Sequence, residues 1–288
     1  AKLKLFADDV KLYSSFNASG FNCGDLQSSL DRLSSWAQSW QLCINISKCS
    51  VLSIHHKSKS YMPTSQPFFI NGSQLTNSPF VTDLGVLVDS GLSFNSHISN
   101  ILTKATQRSG VFFRGFSSRH PTLIKKAFVT YIRPTLEFNS NIWNPTKKYL
   151  IDKLENIQRR FTKKVPSLSQ LSYLDRLRVL DLEPLELRRL KFDLIQYFKV
   201  LNNLTCIEPD SYFHLHYPPS SSRNPAPFLQ KSSNFNKSLQ STFFFRYLDC
   251  WNALPVNVKQ SSSLTSFKRQ IKSLDLNKYL KGSATDVN

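Results

Sequence analysis

Apolar and polar residues alternate on both sides of a very short gap at the start of the chain. Lys2 to Phe6 and Val10 to Tyr13 each read with a period of two, which puts Leu3, Leu5, Val10 and Leu12 on shared faces of two short strands. Only Ala7-Asp8-Asp9 separates them, so the pattern predicts a β-hairpin with two adjacent carboxylates at its tip. The period then lengthens. Asp25 is placed as an N-cap, and Leu26, Leu30, Leu33, Ala37 and Trp40 fall on one face of a helix. "CSVLSIH" (Cys49 to His55) reads as a strand, "FFING" (Phe68 to Gly72) as a strand entering a turn, and the apolar runs flanking Ser90-Gly91 as a second hairpin. Beyond residue 97 the helical period persists, beginning with Ile98, Ile101, Leu102 and Ala105. Further helices are predicted over 121–138 (broken by Pro134), 147–165, 173–180, 184–203, 243–253 and 263–280. Residues 205–240 are rich in Ser, Pro and Asn without a period and read as a linker, with Pro218 to Pro225 a flexible connector. The fold class expected is α+β, predominantly helical, with no internal repeat.

Composition adds a direction to this outline. The hydrophobic content of 40% is ample for a core, so global disorder is excluded. The net charge is +18 and it is unevenly spread: residues 101–200 carry 20 basic and 8 acidic side chains, while residues 1–100 carry 7 and 6. A surplus concentrated in the helical stretch points to a polyanion-binding surface. No apolar run approaches the roughly 18 residues of a membrane span, so no membrane partner is expected. The five cysteines are scattered and form no C-x-x-C pair, which argues against a zinc or disulfide framework and for a reducing, intracellular compartment, nuclear or cytoplasmic. The histidines show no metal-ligand spacing, and Trp36, Trp40, Trp143 and Trp251 are expected to anchor the core. The only methionine is Met62 and the chain opens inside a strand, so it is expected to be the later part of a longer protein.

The carboxylate pair is the sharpest chemical feature. Two ionised carboxylates about 4 Å apart repel by roughly 4 kcal/mol at an effective dielectric near 20. Full exposure to water offsets that, and so does a hard divalent cation, which prefers oxygen ligands. Among the helices, Lys104 and Arg108 lie one turn apart, and Arg159, Arg160, Lys163 and Lys164 form a tighter cluster. Arg188, Arg189 and Lys191 form a third cluster. Rows of this kind hold phosphates without reading sequence.

Several stretches, in order, resemble a known family. "FADD" (Phe6 to Asp9) is similar to the catalytic motif C of reverse transcriptases, and "LCINISKC" (Leu42 to Cys49), with Asn45 and Lys48, to motif D. "DLGVLVDSGLSFNSHI" (Asp83 to Ile98) is similar to the primer-grip region, with Leu84 and Gly85 as its marker. "YIRPTLEFNSNIWNP" (Tyr131 to Pro145), "LENIQRRFTKKV" (Leu154 to Val165) and the stretch Tyr173 to Leu201 look like a basic thumb and post-thumb region, and "FRYLDCWNALP" (Phe245 to Pro255) like the terminal segment. Together they resemble the C-terminal half of the reverse transcriptase of non-LTR (LINE-type, jockey-like) retrotransposons.

The resemblance implies a partial palm over residues 1–95, a basic helical thumb over 96–204, the linker over 205–240 and a helical tail over 241–288. It implies RNA-directed DNA polymerase activity in the complete protein, with Mg²⁺ as cofactor and with RNA template, DNA primer, RNA–DNA hybrid and deoxynucleoside triphosphates as partners. Asp8 and Asp9 become the metal ligands and Lys48 the acid for departing pyrophosphate. The upstream aspartate of motif A has no counterpart in this chain, so the chain alone is expected to be inactive. The rival expectation is a non-enzymatic, basic helical nucleic-acid-binding remnant of such an element. A third is an oligomerising scaffold whose exposed apolar palm edge docks elsewhere.

Overall fold

The computed structural model describes residues 1–15, 23–55, 67–209, 214–216, 228–230 and 241–282. The Pro218–Pro225 connector and His56 lie outside the described residues. The chain folds as two compact units, Ala1–His97 and Ile98–Asn288.

The first unit opens with the hairpin that the alternation predicts. Strand β1 (Lys2–Phe6) pairs antiparallel with β2 (Asp9–Tyr13) in the register Leu3↔Leu12, Leu5↔Val10 and Phe6↔Asp9. The tip differs in one respect from the expectation: Asp8 sits in the turn, whereas Asp9 is the first residue of β2. Ala7 carries a φ of 52°, the positive value that the first central residue of a primed two-residue hairpin turn demands. Helix α1 (Cys23–Ser39) follows, with Asp25 inside its first turn rather than capping it. It ends at Gln41, whose φ of 56° lets Leu42 N–H reach Ala37 O at 2.8 Å and Gln41 N–H reach Gln38 O at 3.0 Å. Those two bonds satisfy carbonyls that a helix end otherwise leaves open.

Short strands complete the unit. β3 (Ser50–Val51) pairs parallel with β6 (Thr76–Asn77), and β4 (Phe69–Ile70) pairs antiparallel with β5 (Ser73–Gln74). Between β4 and β5, Asn71 and Gly72 have φ values of 49° and 74°, as an Asn-Gly turn of the primed class requires. Leu30, Phe68, Ile70 and Leu75 form the core, with Leu12 of β2 packed against it. Gln27 ties α1 to β4 by donating to Phe69 O at 2.9 Å and accepting from Phe69 N–H at 3.0 Å. A last hairpin joins β7 (Phe80–Asp83) and β8 (Val86–Asp89). Its turn is at Leu84-Gly85, with φ values of 44° and 82°, and not at Ser90-Gly91. The reason is local. The Asp89 carboxylate accepts the N–H groups of Gly91, Ser93 and Phe94 at 2.8 to 3.1 Å, which folds the second apolar segment away from a strand.

The second unit is helical. Helix α2 (Asn95–Gly115), which begins in the closing residues of the first unit, leads to α3 (Pro121–Ala127), a π-helical turn over Phe128–Ile132, and α4 (Arg133–Glu137). Pro134 lacks an N–H and crowds the carbonyl four residues back. The helix answers by widening into the π turn just upstream rather than stopping. Helices α5 (Ser140–Trp143), α6 (Lys148–Lys163), α7 (Tyr173–Leu180) and α8 (Leu185–Leu201) follow. The Ser172 hydroxyl caps α7 by accepting Asp175 N–H at 3.2 Å, and Asp181 closes it in the left-handed conformation at φ 47°.

Two aromatic centres hold the unit together. Phe161 of α6 lies 4.7 to 5.7 Å from the rings of Phe112, Phe113 and Phe128. Around α8, Leu190, Leu194, Tyr197 and Phe198 pack on Trp251 and Phe267, with the Phe198 and Phe267 rings stacked at 4.4 Å. Much of the rest of that cluster comes from α9 (Phe243–Arg246), α10 (Leu248–Asn252), α11 (Val256–Lys259) and α12 (Leu264–Ser273). The single helix expected over 243–253 is thus two, parted at Tyr247. Part of the expected linker is a ribbon: β9 (His214–His216) pairs with β10 (Phe228–Gln230), and Asn252 exchanges hydrogen bonds of 2.8 and 2.9 Å with the Leu229 backbone. Two isolated tripeptides carry no period, so only the partner amide reveals them.

Candidate functional site

In the first unit, Asp8 and Asp9 are both exposed at the end of the β1–β2 hairpin. Side chains alternate along a strand, so Asp9 shares a face of β2 with Lys11. Lys11 in turn pairs with Asp83 at 2.5 Å. That contact ties the hairpin bearing Asp8 and Asp9 to the hairpin whose turn is Leu84-Gly85, bringing two of the predicted site segments side by side. As a surface ion pair it contributes at most about 1 kcal/mol, so it orients the hairpins more than it holds them. Lys48 ends the 3₁₀ turn Ile46–Lys48 and its side chain is exposed. Burial pushes the Cys49 thiol beside it up, which removes that thiol from ionic chemistry near neutrality.

Two adjacent exposed carboxylates suit a hard cation as oxygen donors. No group of three or more acid, His or Cys side chains comes together among the described residues. Three other acids have partners, Asp83 in Lys11, Asp89 in its loop and Asp31 in the Gln27 amide at 2.8 Å, and Asp25 lies in the first turn of α1. Burial works to raise the Asp89 carboxyl, but the hydrogen bonds from Ser93, Phe94 and Gly91 outweigh it and hold the group below the usual carboxylate range.

In the second unit the three basic clusters have separate fates. Arg160, Lys163 and Lys164 are exposed at the end of α6. Arg159 lies half-buried with its guanidinium 4.8 Å from the centre of the Tyr173 ring. Lys104 is exposed, and Arg108 donates to Tyr131 O at 3.2 Å and to the Thr135 hydroxyl at 2.5 Å, which fixes an exposed guanidinium on the surface. The third cluster corrects the sequence expectation. Arg188 is paired with Glu137 at 2.5 and 3.0 Å, Lys191 with Glu183 at 2.5 Å, and Arg189 is fully buried, donating to Asn144 Oδ1 at 3.0 Å. These three face inward because α8 is the central helix of its core, buried on several sides, so Arg188 and Lys191 find acids and Arg189 the Asn144 side-chain oxygen instead of solvent. The tryptophans divide as well: Trp143 and Trp251 are core, but Trp36 and Trp40 are 52% and 68% exposed on α1.

Lys268, Arg269 and Lys272 on α12 were missing from the expected clusters. They are exposed opposite Phe267 and Ile271, which are buried at 0% and 1%. Their signal in the sequence is the same one-turn spacing that marks Lys104 and Arg108.

The elements and clusters now in place are those of an α+β, mostly helical chain with an exposed acidic tip in one unit and exposed basic helix faces in the other. No helix among the described residues is long and apolar enough to cross a membrane. Over more than half its length this chain is similar to transposon RNA-directed DNA polymerases. It is 26% identical over 168 residues to a probable RNA-directed DNA polymerase from transposon BS of Drosophila melanogaster, covering 56% of this chain and 18% of that protein. It is 25% identical over 161 residues to the probable RNA-directed DNA polymerase from the X-element transposon of the same fly, covering 55% and 17%. An uncharacterized protein of Caenorhabditis elegans is 28% identical over 125 residues, covering 42% of this chain and 63% of that protein. The chain therefore spans under a fifth of the length of the two polymerases. No family model and no solved structure matches it.

Proposed function

We propose that this chain is part of a non-LTR retrotransposon reverse transcriptase, carrying the motif C hairpin, a motif D segment, a primer-grip hairpin and a basic helical thumb. What supports the reading is the similarity to the two Drosophila polymerases, each over more than half of this chain. In this reading Asp8 and Asp9 hold Mg²⁺, and Lys48 supplies a proton to pyrophosphate. When bound, the metal ions activate the primer hydroxyl and clamp the triphosphate. Leu84 and Gly85 border the primer end. Lys104, Arg108, Arg160, Lys163 and Lys164 bear on the phosphates of the template–primer hybrid, which is held by shape and backbone. Two carboxylates fall short of a complete cage, so the chain by itself binds template–primer but does not extend it.

The test is made on a labelled RNA–DNA hybrid across a range of salt. Neutralising Arg160, Lys163 and Lys164 together is expected to lower the salt slope of affinity by about 2 to 3, while Asp8→Ala leaves that slope unchanged. Binding without salt dependence would end the nucleic-acid reading. In the same assay a primed RNA template, Mg²⁺ and triphosphates are expected to yield no extension by the chain alone; extension would overturn the two-carboxylate argument. Paramagnetic broadening by Mn²⁺ at the Phe6–Val10 amides, lost in Asp8→Ala, is the expected sign of the metal role.

A further inference from the structure

We infer that the exposed face of α12, formed by Lys268, Arg269 and Lys272, is a second phosphate-contacting surface for nucleic acid, separate from the α2 and α6 clusters. The inference rests on the reading that the chain binds nucleic acid and assigns it a further surface. Phe267 and Ile271 are buried against the α8 core, which fixes the rotation of α12 and turns all three cations to solvent. The helix Leu264–Ser273 contains no acidic residue. Among the described residues no ion pair engages Lys268, Arg269 or Lys272, in contrast to the neutralised cations of α8. Two neighbouring acids have other partners. Asp275 accepts Asn277 N–H at 3.0 Å, and Asp181, whose carboxyl Lys272 helps to hold low, is already bonded to Lys125 at 3.0 Å.

Geometry favours a polyanion over a membrane surface. An interfacial helix must spend its apolar side on lipid, and here that side is spent on Trp251, Phe198 and the rest of the core. From Lys268 to Lys272 the helix rises about 6 Å. Duplex DNA presents one charge per ~3.4 Å of axis on each strand, so that rise spans about two phosphates of one strand. Three cations on one face are enough to cover them.

The experiment compares the whole chain with the triple variant Lys268→Gln, Arg269→Gln, Lys272→Gln, using fluorescence anisotropy of a short labelled DNA duplex at graded salt. The slope is expected to fall by about 2 to 3, with a thermal unfolding curve that matches the parent chain. A Lys268→Arg, Lys272→Arg variant, which keeps charge, is expected to restore the slope and separates charge loss from misfolding. An unchanged slope in the glutamine variant, alongside a lowered slope on neutralising Arg160, Lys163 and Lys164, overturns this inference and leaves the proposed function standing. No salt-dependent binding by the parent chain overturns both.

Discussion

Arginine 160 and arginine 189 are the same chemical group on two basic helices, yet one meets solvent and the other is sealed in the core. Spacing along the chain does not separate them; helix phase and the position of distant acids do. Glu137, which neutralises Arg188, lies 51 positions away in sequence. Asp89 shows the same dependence on context at the scale of one side chain. Its folded carboxyl is held below the usual range, so it adds stability above its unfolded value near ~3.9, and that contribution is lost as pH falls through the lower folded value. Asp89→Ala is expected to lower the unfolding free energy by about 1–2 kcal/mol at neutral pH, with the difference from the parent shrinking in strong acid. Circular-dichroism melts at two pH values check it.

Among the elements, those with strong helical period were legible and those resting on turn chemistry were less so. Helix α7 lies over the predicted residues because Ser172 and Asp181 mark its ends locally. The β7–β8 turn was misplaced because Leu84 is an unusual residue at positive φ, whereas Ser90-Gly91 looks like a turn and is a loop organised by Asp89. Gln41 is a similar case, a long side chain in the left-handed position that closes α1. A left-handed non-glycine residue costs about 1–2 kcal/mol, so Gln41→Gly is expected to stabilise the first unit by about 1 kcal/mol, less glycine's added unfolded-state entropy. Urea titration with an unchanged m-value is the check.

At the scale of the molecule, a buried polar lattice joins parts of the second unit that are far apart in sequence. Arg246 of α9 donates to both Asp193 oxygens of α8 at 2.6 and 2.7 Å, Asn141 and Asn144 donate to the same carboxylate, and Asp193 is wholly buried. Removing one partner of a buried pair costs about 3–5 kcal/mol because the other charge is stranded. Asp193→Ala is therefore expected to lose most of the unit's stability, read as a collapse of the helical melt. At the end of the described chain, Lys281 and Gly282 donate to the Glu186 carboxylate at 2.7 and 2.9 Å. A side chain at position 282 would meet Ile151 Cγ2 at 2.7 Å. Gly282→Ala is expected to lower the melting temperature, since that contact leaves no room for a methyl group.

What the order of residues determined on its own was the acidic hairpin, the run of amphipathic helices and the cationic surplus, because each is written in neighbouring positions by period, turn length and charge. Which cations reach solvent, which acids neutralise them and how Lys11 joins two hairpins were decided only by tertiary structure. Those outcomes depend on partners up to more than fifty residues away, and folding alone brings such groups within bonding distance.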